Sequence, residues 1–216
     1  MSVKDKAMFT GLVSAIGEVR AISQDAGVRR LRIEAPYPAA DIALGASIAH
    51  AGVCLTVLDI EASGAGGAAW SVDLAPETQQ RTTLGAALIG DRLNLERSLR
   101  AADELGGHLV SGHIDGMGEV TALHDEGGGA FRLRLRPPVE LMRFIAFKGS
   151  IAVDGVSLTI AALYEEHFDI AMIPHTWSAT TLSALAPGRR VNLEVDVIAR
   201  YVDRWMQERT LRGAHG

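Results

Sequence analysis

An internal duplication constrains this chain more than any other feature, because two similar stretches of sequence must build two similar cores. Gly52-Val-Cys-Leu-Thr-Val57 returns as Gly155-Val-Ser-Leu-Thr-Ile160, and Ser47-Ile48-Ala49 as Ser150-Ile151-Ala152, both at an offset of 103. Gly11 and Gly17-Glu18-Val19 return as Gly112 and Gly118-Glu119-Val120 at an offset of 101. Pro76-x-Thr78, Thr82-Thr83-Leu84 and Asn94-Leu95-Glu96 return as Pro174-x-Thr176, Thr180-Thr181-Leu182 and Asn192-Leu193-Glu194 at an offset of 98. The matches keep one order in both halves. The offset drops between Thr56 and Pro76, where Ser63-Gly-Ala-Gly-Gly67 supplies a flexible hairpin loop that makes the first copy longer.

A period near 100 exceeds the roughly 20–50 residues of solenoid repeats. Each copy is instead a domain with its own core, small enough for that core to be marginal alone. The boundary is expected within Leu99-Arg-Ala-Ala-Asp-Glu-Leu-Gly-Gly107, a polar stretch ending in a glycine pair. Within each copy the apolar pattern has period two. Phe131-Arg-Leu-Arg-Leu-Arg136 alternates strictly, which turns Phe131, Leu133 and Leu135 inward and three arginines toward water; Leu31-Arg32-Ile33 repeats the pattern in the first copy. Short strands broken by glycines and prolines point to closed antiparallel barrels, with Pro36, Pro38, Pro137 and Pro138 ending corresponding strands. Short helices are expected after Thr82 and Thr180. The expected fold is therefore all-β, with one C-terminal helix in addition.

That helix is read from Ile198, Tyr201, Val202 and Trp205, which form one apolar stripe at i, i+3, i+4, i+7 spacing. Two readings stand: the stripe packs on its own barrel, or it meets its copies in an oligomer. The formal charge of −5 argues against a sequence-independent nucleic-acid binder. No apolar run approaches the 18–20 residues of a membrane span, and Met1–Ala7 lacks the apolar segment of a signal peptide. With Cys54 the sole cysteine, no internal disulfide exists and a reducing compartment is expected. A soluble cytoplasmic protein, with no membrane and no nucleic-acid partner, is the expectation.

Met8-Phe-Thr-Gly-Leu-Val13, Gly52-Val-Cys-Leu-Thr56, Gly107-His-Leu-Val-Ser-Gly-His-Ile114, Asp154-Gly-Val-Ser-Leu-Thr159 and Ile173-Pro-His-Thr176 stand in order along the chain. In that combination the chain resembles the riboflavin synthase α-chains, from Met8 to about Arg204. The resemblance implies two tandem six-stranded Greek-key barrels, each binding one 6,7-dimethyl-8-ribityllumazine. The divisions are then an extension over 1–7, barrels over 8–104 and 105–196, and a trimerisation helix with its tail over 197–216. It further implies a homotrimer whose active sites form between the first barrel of one subunit and the second of another. The reaction implied is a dismutation in which one lumazine gives a four-carbon unit to the other. Because the lumazine methyl group is itself acidic, the chemistry calls for no cofactor and no metal.

Candidate residues follow from the pattern and the resemblance together. Ser157 and Thr159, two apart on a strand, share one face, as do their counterparts Cys54 and Thr56. A polar pair beside Leu158, or beside Leu55, suits a heteroaromatic ring; two strand hydroxyls bonded to local backbone is the plainer reading. Cys54 is read as a substrate contact or a buried thiol rather than a nucleophile, since Ser157 takes its place in the second copy. His50 and Cys54, four apart on a strand, lie too far apart for zinc. By resemblance, His113 lies at a pocket position where it could move protons, Asp154 matches a family acid, and Lys148 lines the second pocket. The catalytic set is thus Ser157, Thr159, His113 and Asp154. Substrate contacts are expected from Gly11, Leu12 and Val13, from Gly112 and Ile114, and from the two strand exits. Those exits are Asp73, Leu74, Ala75, Pro76, Glu77 and Thr78 in the first copy, and Met172, Ile173, Pro174, His175, Thr176 and Trp177 in the second.

Three departures from the family pattern stand out. Seven residues precede Met8, close to Phe9 and Gly11, which are expected near the ligand; Ala51 stands where relatives often carry asparagine; and His175 stands where some carry glutamate. The competing reading is a non-catalytic relative that binds a lumazine or flavin, and a small β-barrel interaction module is a third. Retention of Asp154, Ser157 and Thr159 favours the enzyme.

Overall fold

The computed structural model describes residues 7–213. Among the described residues, thirteen strands and three short or terminal α-helices follow the duplication. In the second copy β8 (Gly116–Gly127), β9 (Ala130–Arg136), β10 (Ser150–Val153), β11 (Val156–Leu163), β12 (Phe168–Met172) and β13 (Arg190–Val195) close into an antiparallel barrel of order β10-β11-β12-β9-β8-β13. The first copy repeats that order with β1 (Ala15–Asp25), β2 (Val28–Ala35), β3 (Ser47–His50), β4 (Val53–Thr56), β5 (Asp59–Ser63), β6 (Gly67–Leu74) and β7 (Arg92–Arg97).

It has seven strands because the counterpart of β11 is broken at Val57 and Leu58. The two pieces, β4 and β5, lie at opposite ends of the strand order yet are adjacent in the chain, so the sheet wraps onto itself. The Val57 amide donates to the Ala46 carbonyl and the Leu58 amide to the Ser71 carbonyl, both at 2.9 Å, which carries the ladder across the break.

Period-two burial holds along these strands. Leu133, Leu135, Leu31 and Ile33 are wholly buried. Arg132, Arg134 and Arg136 pair with Glu126, Asp169 and Glu119 on the outer face. Phe131 packs against the second core as expected but is only partly buried, its ring stacked on Trp177 at 4.0 Å. The short helices expected after Thr82 and Thr180 are present as 3₁₀ turns, Thr83–Ala86 and Thr181–Ala184. An unexpected α-helix precedes each, α1 (Pro76–Arg81) and α2 (Pro174–Ala179). Pro76 and Pro174 do more than end their strands. Each opens a helix at its first turn, where the missing amide hydrogen costs nothing and φ is preset.

The copies meet about a local twofold. Phe9 and Val110 form an isolated antiparallel bridge, and with Ala49 and Ala152 they make a small third core between the two barrel cores. Gly52 and Gly155, at the tips of the β3–β4 and β10–β11 turns, face one another so closely that a Cβ on either would stand within 2.8 Å of the other's amide nitrogen. The asparagines of the repeated Asn-Leu-Glu are exchanged across this axis. Asn94 donates to the Asp154 carbonyl and accepts from the Thr181 amide; Asn192 donates to the Ala51 carbonyl and accepts from the Thr83 amide. Both asparagines are buried, and each satisfies two backbone groups of the opposite copy.

Candidate active site

From the bridged pair Phe9 and Val110, the two leading segments run outward in opposite directions, each onto the other copy's barrel. Thr10–Val13 crosses to β11, where the Ser157 amide donates to the Gly11 carbonyl at 2.8 Å and Val13 packs on the second core. Ser111–Ile114 crosses to β4, where the Cys54 amide donates to the Gly112 carbonyl at 2.9 Å and Ile114 packs on the first core. Gly112, at φ 77°, lies so close that a Cβ would sit 2.4 Å from the Cys54 Cβ. Each barrel therefore carries one candidate site, here called its cleft: the outer polar face of its own β4 or β11 beside the point where a segment of the opposite copy crosses it.

Two buried carboxylates fix these segments. Glu96 on β7 accepts the Thr10 amide, the Thr10 hydroxyl and the Gly11 amide at 2.7, 2.8 and 2.9 Å. Glu194 on β13 accepts the Ser111 amide, its hydroxyl and the Gly112 amide at 2.7, 2.7 and 2.9 Å. Burial pushes both carboxyl groups up from their ordinary values, and the bonds they accept oppose that rise. Their signal in the sequence was a buried-strand pattern, Asn-Leu-Glu, with a charged residue at the same place in both copies.

Ser157 and Thr159 lie on β11, and Cys54 and Thr56 on β4, each pair alternating with core residues. Leu158 and Leu55, expected beside them in the pocket, instead point through the sheet into the barrel cores, as strand alternation requires. Leu74 and Met172 are buried likewise, so these four could line a cleft only through their backbone. Of the other strand-exit residues, Asp73 is taken up in a two-bond pair with Arg30, and Glu77 pairs with Arg81. Ala75, Pro76, Ile173, Pro174 and His175 are exposed, while Thr78, Thr176 and Trp177 are half-buried. Leu12, His113 and Lys148 are exposed; Lys148 has φ 64° and stands over the Phe147 ring.

Asp154 lies elsewhere. Its carboxyl accepts the Asn192 amide at 2.7 Å in the seam between copies, and burial pushes it up to about 7. Ala51 is the matching turn residue of the first copy, with φ 46° against 45° for Asp154. Phe9, expected near a ligand, is closed into the same seam with no exposed surface. Residues 1–6 of the extension lie outside the described residues.

The structure adds a residue that the sequence reading passed over. His108 Nδ1 lies 2.7 Å from the Ser157 hydroxyl oxygen, its ring largely buried, and burial lowers its pKa from the ordinary value. The imidazole is thus held near neutrality in charge, able to accept a proton through Ser157 or to orient the hydroxyl. At the repeat offset the first copy carries Ala7 in place of His108 and Cys54 in place of Ser157. Burial pushes the Cys54 thiol up, which disfavours a reactive thiolate. The clefts are alike in architecture and unlike in chemistry, and among the described residues only the second holds a hydroxyl–imidazole pair.

The matches to known proteins follow the same halves. A family described as "Lumazine binding domain" matches twice, over residues 10–98 and 111–196. The riboflavin synthase of Brucella abortus is 44% identical over 201 residues, covering 93% of this chain and 98% of that one. That of Mycobacterium bovis is 42% identical with the same two coverages, and that of Bacillus subtilis is 38% identical over 93% and 91%. Among solved structures, LumP complexed with 6,7-dimethyl-8-(1'-D-ribityl) lumazine superposes with a TM-score of 0.74 at 25% identity over 87% of this chain and 98% of that one. LumP complexed with riboflavin gives 0.75 at 26% over the same shares. A lumazine-binding domain matched in each half, together with full-length identity to these synthases, shows that the chain belongs to the riboflavin synthase family.

Proposed function

We propose that the chain catalyses the dismutation of two 6,7-dimethyl-8-ribityllumazine molecules to riboflavin and 5-amino-6-(D-ribitylamino)uracil, the last step of riboflavin biosynthesis. The observation that carries this reading is the pair of quasi-equivalent polar strand faces, one per copy on β4 and β11, each crossed by the leading segment of the other copy. A reaction between two identical molecules needs two similar sites, and a difference between them assigns donor and acceptor. The two products together contain the atoms of the two substrates, so a four-carbon unit moves without an external oxidant or reductant.

A proton leaves the methyl group of one lumazine, and the resulting carbanion attacks the ring of the other. Positioning the two rings supplies most of the catalysis open to this protein, a contribution that reaches about 7–11 kcal/mol in well-oriented systems. In the second cleft Ser157, oriented by His108 and with Thr159 beside it, is placed to stabilise developing charge and to relay the proton. Cys54 and Thr56 contact the lumazine of the first cleft, with Gly112, His113 and Ile114 as its lid. His113 is exposed, which suits a group that meets a substrate or a neighbouring subunit.

The finer reading is a cytoplasmic homotrimer. No described helix is long and apolar enough to cross a membrane, and the exposed apolar stripe of α3 (Val197–Gly213) offers a seam for further copies. Incubation with the lumazine alone tests the activity: one riboflavin should form for every two lumazines consumed. The similarity to LumP supports a second reading, stoichiometric binding of lumazine with no product, and the same incubation distinguishes the two.

A further inference from the structure

The leading segment of the first cleft is tied to helix α3, and among the described residues no arginine of that helix grips the leading segment of the second cleft. Asp115 follows His113 by two residues and is largely buried, its side chain 14% exposed. The Arg200 guanidinium from the first turns of α3 grips it with two nitrogens, Nη1 to Oδ1 and Nη2 to Oδ2, both at 2.8 Å. Arg200 Nη2 also donates to the His113 carbonyl at 3.3 Å, and Asp115 Oδ2 accepts the Val195 amide at 2.8 Å. A short chain of contacts therefore runs from the helix through Arg200 to Asp115 and His113, then to Gly112, whose carbonyl receives the Cys54 amide. At the repeat offset Asp115 corresponds to Ser14, whose hydroxyl bonds only the nearby Tyr37 hydroxyl and the Leu95 carbonyl. The clamp belongs to one cleft.

We infer that Arg200 is a positioning residue for the first cleft, making the placement of Gly112–Ile114 over Cys54 depend on how α3 is docked. A bidentate guanidinium–carboxylate pair has directional as well as electrostatic demands, so lysine replaces it poorly. Arg143 fastens the same helix to the second barrel through Asp203, which leaves the helix seated when Arg200 is removed. The site consequence rests on the proposed lumazine chemistry; the clamp itself does not.

Cys54 allows the clamp to be tested without substrate, since it is the sole cysteine and lies beneath Gly112. Its labelling by an aromatic disulfide reagent is compared in the full-length chain and in Arg200→Gln, Arg200→Lys, Asp115→Asn and the Arg200→Gln/Asp115→Asn pair. The Arg204→Gln variant, which breaks an exposed pair on the same helix, is the control. Arg200→Gln and Asp115→Asn should each speed labelling at least fivefold with unchanged melting, the pair should add nothing further, and Arg200→Lys should fall between. Arg204→Gln should match the parent. Fluorescence titration with 6,7-dimethyl-8-ribityllumazine should then show one of two sites per chain weakened about tenfold in Arg200→Gln and the other unchanged. Parental labelling in well-folded Arg200→Gln and Arg200→Lys overturns the clamp. Faster labelling in a chain whose parent binds no lumazine keeps the clamp and overturns the functional reading. Equal weakening of both lumazine sites overturns the assignment to one cleft.

Discussion

His108 Nδ1 and the Ser157 hydroxyl oxygen stand 2.7 Å apart beneath the segment that the first copy lends to the second barrel. Ser157 thereby has two independent attachments, its hydroxyl to His108 and its amide to Gly11. Removing the hydroxyl leaves the amide bond and the strand intact. Ser157→Ala with Thr159→Val is therefore expected to lower turnover at least a hundredfold while shifting the melting temperature by only a few degrees. Steady-state rates near the parent's in the folded double variant would remove these two residues from the mechanism.

His108→Gln should keep a polar partner for Ser157 but lose a group that titrates. Turnover should fall, lumazine affinity should hold within a few-fold, and the acidic limb of the pH–rate profile should move or vanish. The exposed His113→Gln change serves as the comparison. If His113 carries the proton instead, the altered profile will appear in that variant and His108→Gln will retain the parental limb.

The seam between copies predicts reciprocal losses. Asn192→Ala strands the Thr83 amide and the Ala51 carbonyl, and Asn94→Ala strands the Thr181 amide and the Asp154 carbonyl. Each change should cost roughly 2–4 kcal/mol in urea unfolding, because a buried unpaired amide or carbonyl loses its full solvation. A loss below about 0.5 kcal/mol in either variant would mean that water reaches the seam.

Two buried groups should oppose each other in the pH dependence of stability. His50 is held neutral under Trp70, whose indole nitrogen donates to Nε2 at 2.9 Å, and burial lowers its pKa to about 4 from 6.5. Unfolding then takes up a proton below pH 6.5, so this group costs stability progressively down to about pH 4. Asp154 has the opposite sign. Raised to about 7 from 3.8, it favours the folded state fully below pH 3.8, and that contribution is lost as the pH rises to 7. The effects are on the order of 3 kcal/mol for His50 and 4 kcal/mol for Asp154, and the two overlap over most of their range. Asp154→Asn should be more stable than the parent at pH 8, should lose that lead toward pH 4, and should uncover the acid sensitivity of His50. Parallel stability curves for parent and variant from pH 4 to 8 would rule out the buried carboxyl as their source.

The duplication, the strand alternation and the polar faces of β4 and β11 were legible because each is a periodic property of neighbouring residues. What was hidden depends on close approach between distant segments. The Gly106–Gly107 pair reads as a flexible boundary, yet a Cβ on Gly107 would lie 2.0 Å from the Thr10 carbonyl oxygen and 3.0 Å from the Ser157 Cβ. Glycine is needed there for space, and that space admits His108 to Ser157. Asp154 reads as a pocket acid from its match to a family acid, but its place at the β10–β11 turn instead buries its carboxyl in the seam against the Asn192 amide. Leu55 and Leu158 were placed beside their neighbours in sequence, although adjacent strand residues face opposite sides. His108 had one visible signal, the alanine that replaces it in the first copy.

The last prediction concerns assembly. Gly11 and Gly112 lie two residues from the bridged pair Phe9 and Val110 and run away from it in opposite directions. In the homotrimer proposed above, a productive pair forms between the first barrel of one chain and the second barrel of a neighbour. The surface able to bring a neighbour is α3, where Ile198, Tyr201, Val202 and Trp205 are 61%, 75%, 49% and 60% exposed. The reading in which this stripe packs on its own barrel therefore does not describe the structure. Covering each such side chain stabilises an assembly by roughly 1.5–3 kcal/mol, and Val202→Asp with Trp205→Asp would place unpaired charge in that contact. The double variant is expected to sediment as a monomer that binds lumazine with near-parental affinity and forms little riboflavin. Sedimentation velocity run beside the activity assay decides it, since a monomer with full activity would require both lumazines to meet within one chain.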